Sequence, residues 1–153
     1  MNIVLLNPEI PYNTGNIGRS CVLTGTVLHL IQPLGFSLDE KQIKRAGLDY
    51  WKDVKVELWN SLDELMEKHK DSKFYFATTK TKQKYTDVNY DINDFVVFGP
   101  ESKGVPEEIL KKNNETCITI PMLPIGRSLN LSNSAAIILY EALRQNDFKM
   151  KEM

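Results

Sequence analysis

The sequence predicts an α/β domain with a mostly parallel sheet flanked by helices, and three observations predict it. Short runs rich in β-branched and aromatic residues recur along the chain. Longer amphipathic or capped segments separate them, the alternation that places parallel strands beside crossover helices. The length of 153 residues, with 42% hydrophobic and 25% charged residues, suits one domain (residues 1–153) with a real core and leaves no room for two.

The first strand is expected over residues 3–6, an unbroken apolar run. A connection stiffened by Pro8 and Pro11 leads to a helix over 15–23, with Asn13 or Thr14 as N-cap. A strand over 27–31 follows, then a helix over 39–46 and a weaker strand over 54–58. Ser61 followed by Glu64 is a capping-box pattern and opens a helix over 62–70. Strands are expected over 73–78 and 95–98. Pro106 fits the first turn of a helix over 106–112, with Glu107 and Glu108 at the positive end of its dipole. A strand over 116–120 leads to the last helix, 131–145. From Ala135 to Tyr140 every residue of that helix is apolar or aromatic. A helix apolar all round is buried all round. Part of this one is expected to form a subunit interface with Tyr140 as an anchor, intramolecular burial being the other account.

Composition excludes several classes. A net charge of −1 means that any contact with nucleic acid depends on a local patch, not on the global field. Cys21 and Cys117 are far apart and form no C-x-x-C pair, so neither a cysteine-based zinc site nor a disulfide framework is expected. His29 and His69 have no metal-ligand companions nearby in sequence, and no metal is expected. The opening residues are too short and too lightly charged for a signal peptide, and no apolar run approaches membrane-spanning length. A cytoplasmic location without membrane contact is the expectation.

Three motifs carry candidate chemistry. The first runs from Asn7-Pro8-Glu9-Ile10-Pro11 to Asn16-Ile17-Gly18-Arg19. Local chemistry explains it as a stiff connection and a cap, although a helix start rich in Gly and Asn can also receive an anion. Asn16 and Arg19 lie three apart and share a helix face. The second is Phe98-Gly99-Pro100-Glu101-Ser102-Lys103-Gly104-Val105-Pro106, either a βα connection or a ligand cradle in which glycine admits a close approach. Gly99 and Gly104 have P-loop separation, yet Val105-Pro106 stand where that motif needs Lys and Ser/Thr. No G-x-G-x-x-G follows a strand, which disfavours a dinucleotide fold. The third, Ile120 to Asn133, sets Arg127, Ser128, Asn130, Ser132 and Asn133 against the apolar helix. Ser132 alone could be a cap. So many polar groups beside a buried helix need partners, which a polar ligand would supply. A basic stretch, Lys80-Thr81-Lys82-Gln83-Lys84-Tyr85, reads first as solvated surface and could also serve phosphates.

In this order and spacing the motifs resemble the SPOUT superfamily of methyltransferases, and within it the TrmL (YibK-like) tRNA 2′-O-methyltransferases. The resemblance spans essentially the whole chain and includes Asn13-Thr14-Gly15-Asn16, Arg45-Ala46-Gly47-Leu48-Asp49-Tyr50, Phe98-Gly99-Pro100-Glu101 and Asn130-Leu131-Ser132-Asn133. It implies a SPOUT-type fold with a deep C-terminal trefoil knot, an exception to ordinary connectivity. It also implies a homodimer through the C-terminal helix. The implied reaction moves a methyl group from S-adenosylmethionine to the ribose 2′-hydroxyl of the wobble nucleotide, cytidine or uridine, of tRNA-Leu. By motif, the donor pocket falls on Ala77, Gly99, Gly104, Ile120 and Ser128, and catalysis on Arg19 with Asn16, Arg127 and Asn133 as companions. The family arginine is sometimes assigned as general base. A guanidinium stays protonated, so holding phosphate and stabilising a developing alkoxide suits Arg19 better. Many relatives carry Thr-Arg where this chain has Ser102-Lys103, a forked donor replaced by a point charge.

Two other readings share these motifs: methylation of a different tRNA or ribosomal RNA site, and a non-catalytic RNA-binding module on the same fold. Against the first stands the lack of an N-terminal extension to serve as a separate RNA-binding domain. Against the second stands the constellation of Asn16, Arg19 and Arg127 to Asn133, which mere binding does not need.

Overall fold

A computed structural model of the chain describes residues 1–39, 41 and 50–150. Six strands form one sheet in the order β3-β2-β1-β5-β4-β6, with every pairing parallel. They are β1 (Asn2–Leu6), β2 (Val27–Ile31), β3 (Val56–Trp59), β4 (Phe74–Ala77), β5 (Phe95–Phe98) and β6 (Cys117–Ile118). Among the described residues the helices are α1 (Pro11–Thr24), α2 (Leu62–Lys68), α3 (Glu107–Lys112) and α4 (Leu131–Gln145), with 3₁₀ turns at Trp51–Asp53 and Asn114–Thr116. Most of the helix expected over 39–46, and most of the Arg45-to-Tyr50 motif, lie outside the described residues.

Alternation along each strand feeds two cores. On one face Ile3, Leu5, Leu28, Leu30 and Val96 meet Ile17 and Cys21 of α1 and Ile138, Leu139 and Leu143 of α4. On the other, Val4, Leu6, Phe76, Phe95 and Val97 meet Leu62 and Leu65 of α2 and Leu110 of α3. A parallel sheet covered on both faces explains why its strands read as continuous apolar runs. His29 points into the second layer. The Trp59 indole donates to its Nδ1 at 3.0 Å, so the ring proton sits on Nε2 and is given to Asn2 Oδ1 at 3.0 Å. Burial, reinforced by His69 nearby, pushes this imidazole down to about 4.

Several boundaries differ from expectation for identifiable reasons. Helix α1 begins at Pro11 rather than residue 15, because a proline's fixed φ suits the first helical position. Asn13 and Thr14 are therefore buried inside the helix, and its N-cap position, Ile10, has no side-chain cap. Helix α4 is capped by Asn130, which accepts from the Ser132 amide at 2.8 Å, so Ser132 is not the cap. The strand expected over 116–120 pairs only at Cys117–Ile118, after which Thr119 bridges to Lys84. In α4, Ala135, Ile138, Leu139, Ala142 and Leu143 are buried in the chain's own core. Ala136 and Ile137 are half-buried and Tyr140 is 44% exposed, leaving a narrower apolar stripe outward than the sequence suggests. Among the described residues no helix is long and apolar enough to cross a membrane.

Candidate active site

Strand order reverses between β1 and β5, and ligands of open parallel sheets bind beyond the strands' carboxyl ends at such a switch point. A cavity of about 720 Å³ lies there, within the range of small-molecule sites. Its walls come from the start of α1, the residues after β4, the β5–α3 loop, the segment after β6 and the first turns of α4.

The β5–α3 loop is shaped by its own backbone. A Cβ on Gly99 would lie 2.0 Å from the Gly104 carbonyl carbon and 2.2 Å from the Val105 nitrogen. Glycine is thus required at 99 because the loop folds back on itself, a need that holds whether or not a ligand also approaches there. The fold-back is closed by the Gly104 amide donating to the Pro100 carbonyl at 2.8 Å, with Gly104 at φ +70°.

Two carboxylates lock this loop to the β1–α1 connection, each serving the other's backbone. Glu101 accepts from the amides of Glu9 at 2.9 Å and Ile10 at 2.8 Å. Glu9 accepts from the Ser102 amide at 2.9 Å and the Ser102 hydroxyl at 2.7 Å. These Ser102 donors, with help from the Lys103 charge, hold the Glu9 carboxyl below its ordinary range. The buried Asn13 extends the lock: its Nδ2 donates to Glu101 at 3.2 Å and its Oδ1 accepts from Asn130 at 3.1 Å. One chain of polar contacts thereby joins all three sequence motifs, from the start of α1 through the β5–α3 loop to the cap of α4.

The structure places Ala77, Gly99, Gly104, Ile120 and Ser128 around the one cavity, together with Arg127. It does not bring Arg19, Asn16 or Asn133 to that lining. Arg19 is exposed on α1, its guanidinium carbon 4.7 Å from the centre of the Tyr50 ring. Asn16 is half-buried on α1 and Asn133 exposed on α4. Asn13, Glu101 and Asn130 are the polar residues that sequence reasoning passed over as site members. Pro11 was the available signal for Asn13, since starting the helix there turns a cap into a buried side chain that needs partners.

Chemically, the cavity pairs apolar walls such as Phe98, Val105 and Ile138 with three cations, Lys80, Lys103 and Arg127. Glu101 is the single carboxylate among its described lining residues, and three donors already occupy it. Such a site can hold a ligand part apolar and part polar and stabilise negative charge at its mouth. Among the described residues no group of three His, Cys, Asp or Glu side chains is placed to hold a metal.

Residues 1–140 match the SpoU rRNA Methylase family. A Listeria innocua protein with the provisional name tRNA (cytidine(34)-2′-O)-methyltransferase is 55% identical over 150 residues, covering 96% of this chain and 89% of the relative. A Methylovorus glucosotrophus protein bears the same name without that qualification, at 48% identity and 96% coverage of both chains. A solved structure described as giving structural insights into the 2-OH methylation of C/U34 on tRNA superposes with a TM-score of 0.88 at 38% identity, covering 97% of each chain.

Proposed function

The chain belongs to the SpoU rRNA methylase family, and from that premise we propose that it is a tRNA 2′-O-methyltransferase using S-adenosylmethionine. Its target is the ribose 2′-hydroxyl of nucleotide 34, the cytidine or uridine at the wobble position of tRNA-Leu. The observation carrying this reading is the convergence of Ala77, Gly99, Gly104, Ile120 and Ser128 on one cavity at the sheet's switch point. The names of relatives matched over nearly their full length direct it to tRNA rather than to the ribosomal RNA of the family's description.

The residues present fit the donor. The backbone of the Gly99-to-Gly104 turn offers polar groups at close range, and the apolar walls suit a nucleoside ring. Bound there, the donor supplies a methyl group on a positively charged sulfur. The chain's part is to hold and orient it, exclude water, and stabilise negative charge as the ribose hydroxyl loses its proton. Arg127 stands at the cavity for that task. Arg19, with Asn16 and Asn133 as companions, acts from the neighbouring face of α1 and α4.

We read the active form as a cytoplasmic homodimer. The uncovered stripe Ala136-Ile137-Tyr140 and the exposed Leu23 of α1 form its contact, and Arg19, on the same side of α1 as Leu23, reaches a cavity across it. We read the C-terminal segment as threading the loop between β4 and β5 to form a trefoil knot. Supporting this, Gln145 at the end of α4 holds the Tyr90 amide at 2.8 Å and the Val88 carbonyl at 3.0 Å. Incubation with radiolabelled donor and separate pools of tRNA and ribosomal RNA tests the function. Label entering tRNA is expected; label confined to ribosomal RNA, or in neither pool, contradicts it.

A further inference from the structure

The segment after β4 carries a second feature of the same end of the sheet. Residues 80–85 are pinned beside β6: the Thr119 amide donates to the Gln83 carbonyl at 2.8 Å, and the Tyr85 amide to the Thr119 carbonyl at 2.9 Å. The Gln83 side chain adds bonds to the carbonyls of Glu115 and Cys117 at 2.9 and 3.0 Å. So fastened, the segment alternates in exposure. Thr81, Gln83 and Tyr85 are half-buried, and Lys80, Lys82 and Lys84 are exposed.

The track of charge starts at the cavity, since Lys80 is one of its lining residues and stands beside Thr78 and Thr79 at its rim. Lys80 itself is partnered by Glu107 at 2.8 Å. Lys82 and Lys84 have no carboxylate partner among the described residues, nor has Arg127 at the cavity. Asp87, the nearest acid in sequence, spends a carboxylate oxygen on the Lys84 amide at 2.8 Å. With a net charge of −1 the chain has no global field to attract RNA, so phosphate affinity must come from local cations such as these.

We infer that Lys82 and Lys84 form a phosphate track that guides the RNA backbone to the cavity mouth, where Arg127 stands. This rests on the reading of tRNA as substrate. The track contacts phosphates and reads no bases, so it sets affinity and orientation without choosing the sequence.

The test is tRNA binding by the full chain at several salt concentrations, comparing the parent with the double variant Lys82→Glu, Lys84→Glu. A control pair, Lys55→Glu with Lys73→Glu, makes the same charge change just before β3 and β4, at the opposite end of the strands. The track variant is expected to lose tRNA affinity at least about tenfold. Each lost phosphate contact should flatten the log–log salt slope by about 0.7–0.9, hence by about 1.4–1.8 for two. Binding of S-adenosylmethionine should be unchanged, which also confirms folding, and Lys82→Gln with Lys84→Gln should show a smaller loss in the same direction. Parent-like binding and slope in the track variant, or an equal loss in the control, overturns the track while leaving the substrate intact. A parent chain that binds no tRNA overturns both.

Discussion

Replacing Glu101 with alanine removes the acceptor of three donors at once, the Glu9 and Ile10 amides and the Asn13 side chain. Two of these bonds hold the amides of Ile10, the N-cap position of α1, and of the residue before it. Loss of these two exposed bonds costs about 0.5–2 kcal/mol. The Asn13 bond is partly buried, and stranding that side chain adds about 1 kcal/mol. The sum is about 1.5–3 kcal/mol, which at about 2–4 °C per kcal/mol for a chain of this size lowers Tm by about 3–12 °C. Glu101→Gln should recover little, because an amide places N–H groups against donors. Because the same carboxylate fixes the β5–α3 loop, donor affinity should fall at least about tenfold alongside. Thermal unfolding and calorimetric titration with S-adenosylmethionine measure the two effects. A variant whose Tm stays within about 1 °C of the parent, with unaltered donor affinity, would refute the lock.

Gly99→Ala should abolish donor binding and destabilise the fold, since its methyl would sit 2.0 Å from the Gly104 carbonyl carbon; a variant that binds donor normally would show that the loop can open at little cost. Arg19→Ala should eliminate methyl transfer while leaving donor affinity nearly unchanged, because Arg19 is not part of the cavity lining; a large loss of donor binding contradicts that division. Mixed with Gly99→Ala, it should regain part of the activity if Arg19 serves a partner's site, and inactive mixtures would place both functions in one subunit. His29 should make stability pH-dependent. Its folded value of about 4 lies below the ordinary 6.5, so the unfolded chain binds the proton better. Stability is therefore complete above pH 6.5 and falls as pH drops toward 4, by up to about 3.5 kcal/mol at about 1.4 kcal/mol per unit. His29→Gln should flatten the Tm profile over that window, and an unchanged profile would assign the effect elsewhere.

The parallel sheet was legible because strands buried on both faces leave unbroken apolar runs, and α4 matches its expected 131–145 span. Motif order singled out Ala77, Gly99, Gly104, Ile120 and Ser128, five scattered residues that line one cavity at a topological switch point. The lock was not legible. Glu101 lies 88 residues from Asn13 and 92 from Glu9, and no periodicity within a segment reports such a contact. The fold-back at Gly99 was not legible, because a loop folding on itself and a loop receiving a ligand leave the same glycine in the sequence. The outward face of α4 was overestimated, since period alone cannot say that the chain's own sheet and α1 cover Ile138, Leu139 and Leu143.

The most direct measurement of the central claim is mapping of ribose 2′-O-methylation in tRNA from cells lacking this protein, beside cells in which it is restored. Loss of the modification at nucleotide 34 of tRNA-Leu, recovered by the parent chain and not by Arg19→Ala, is the predicted result. Full modification at nucleotide 34 without the protein would contradict it.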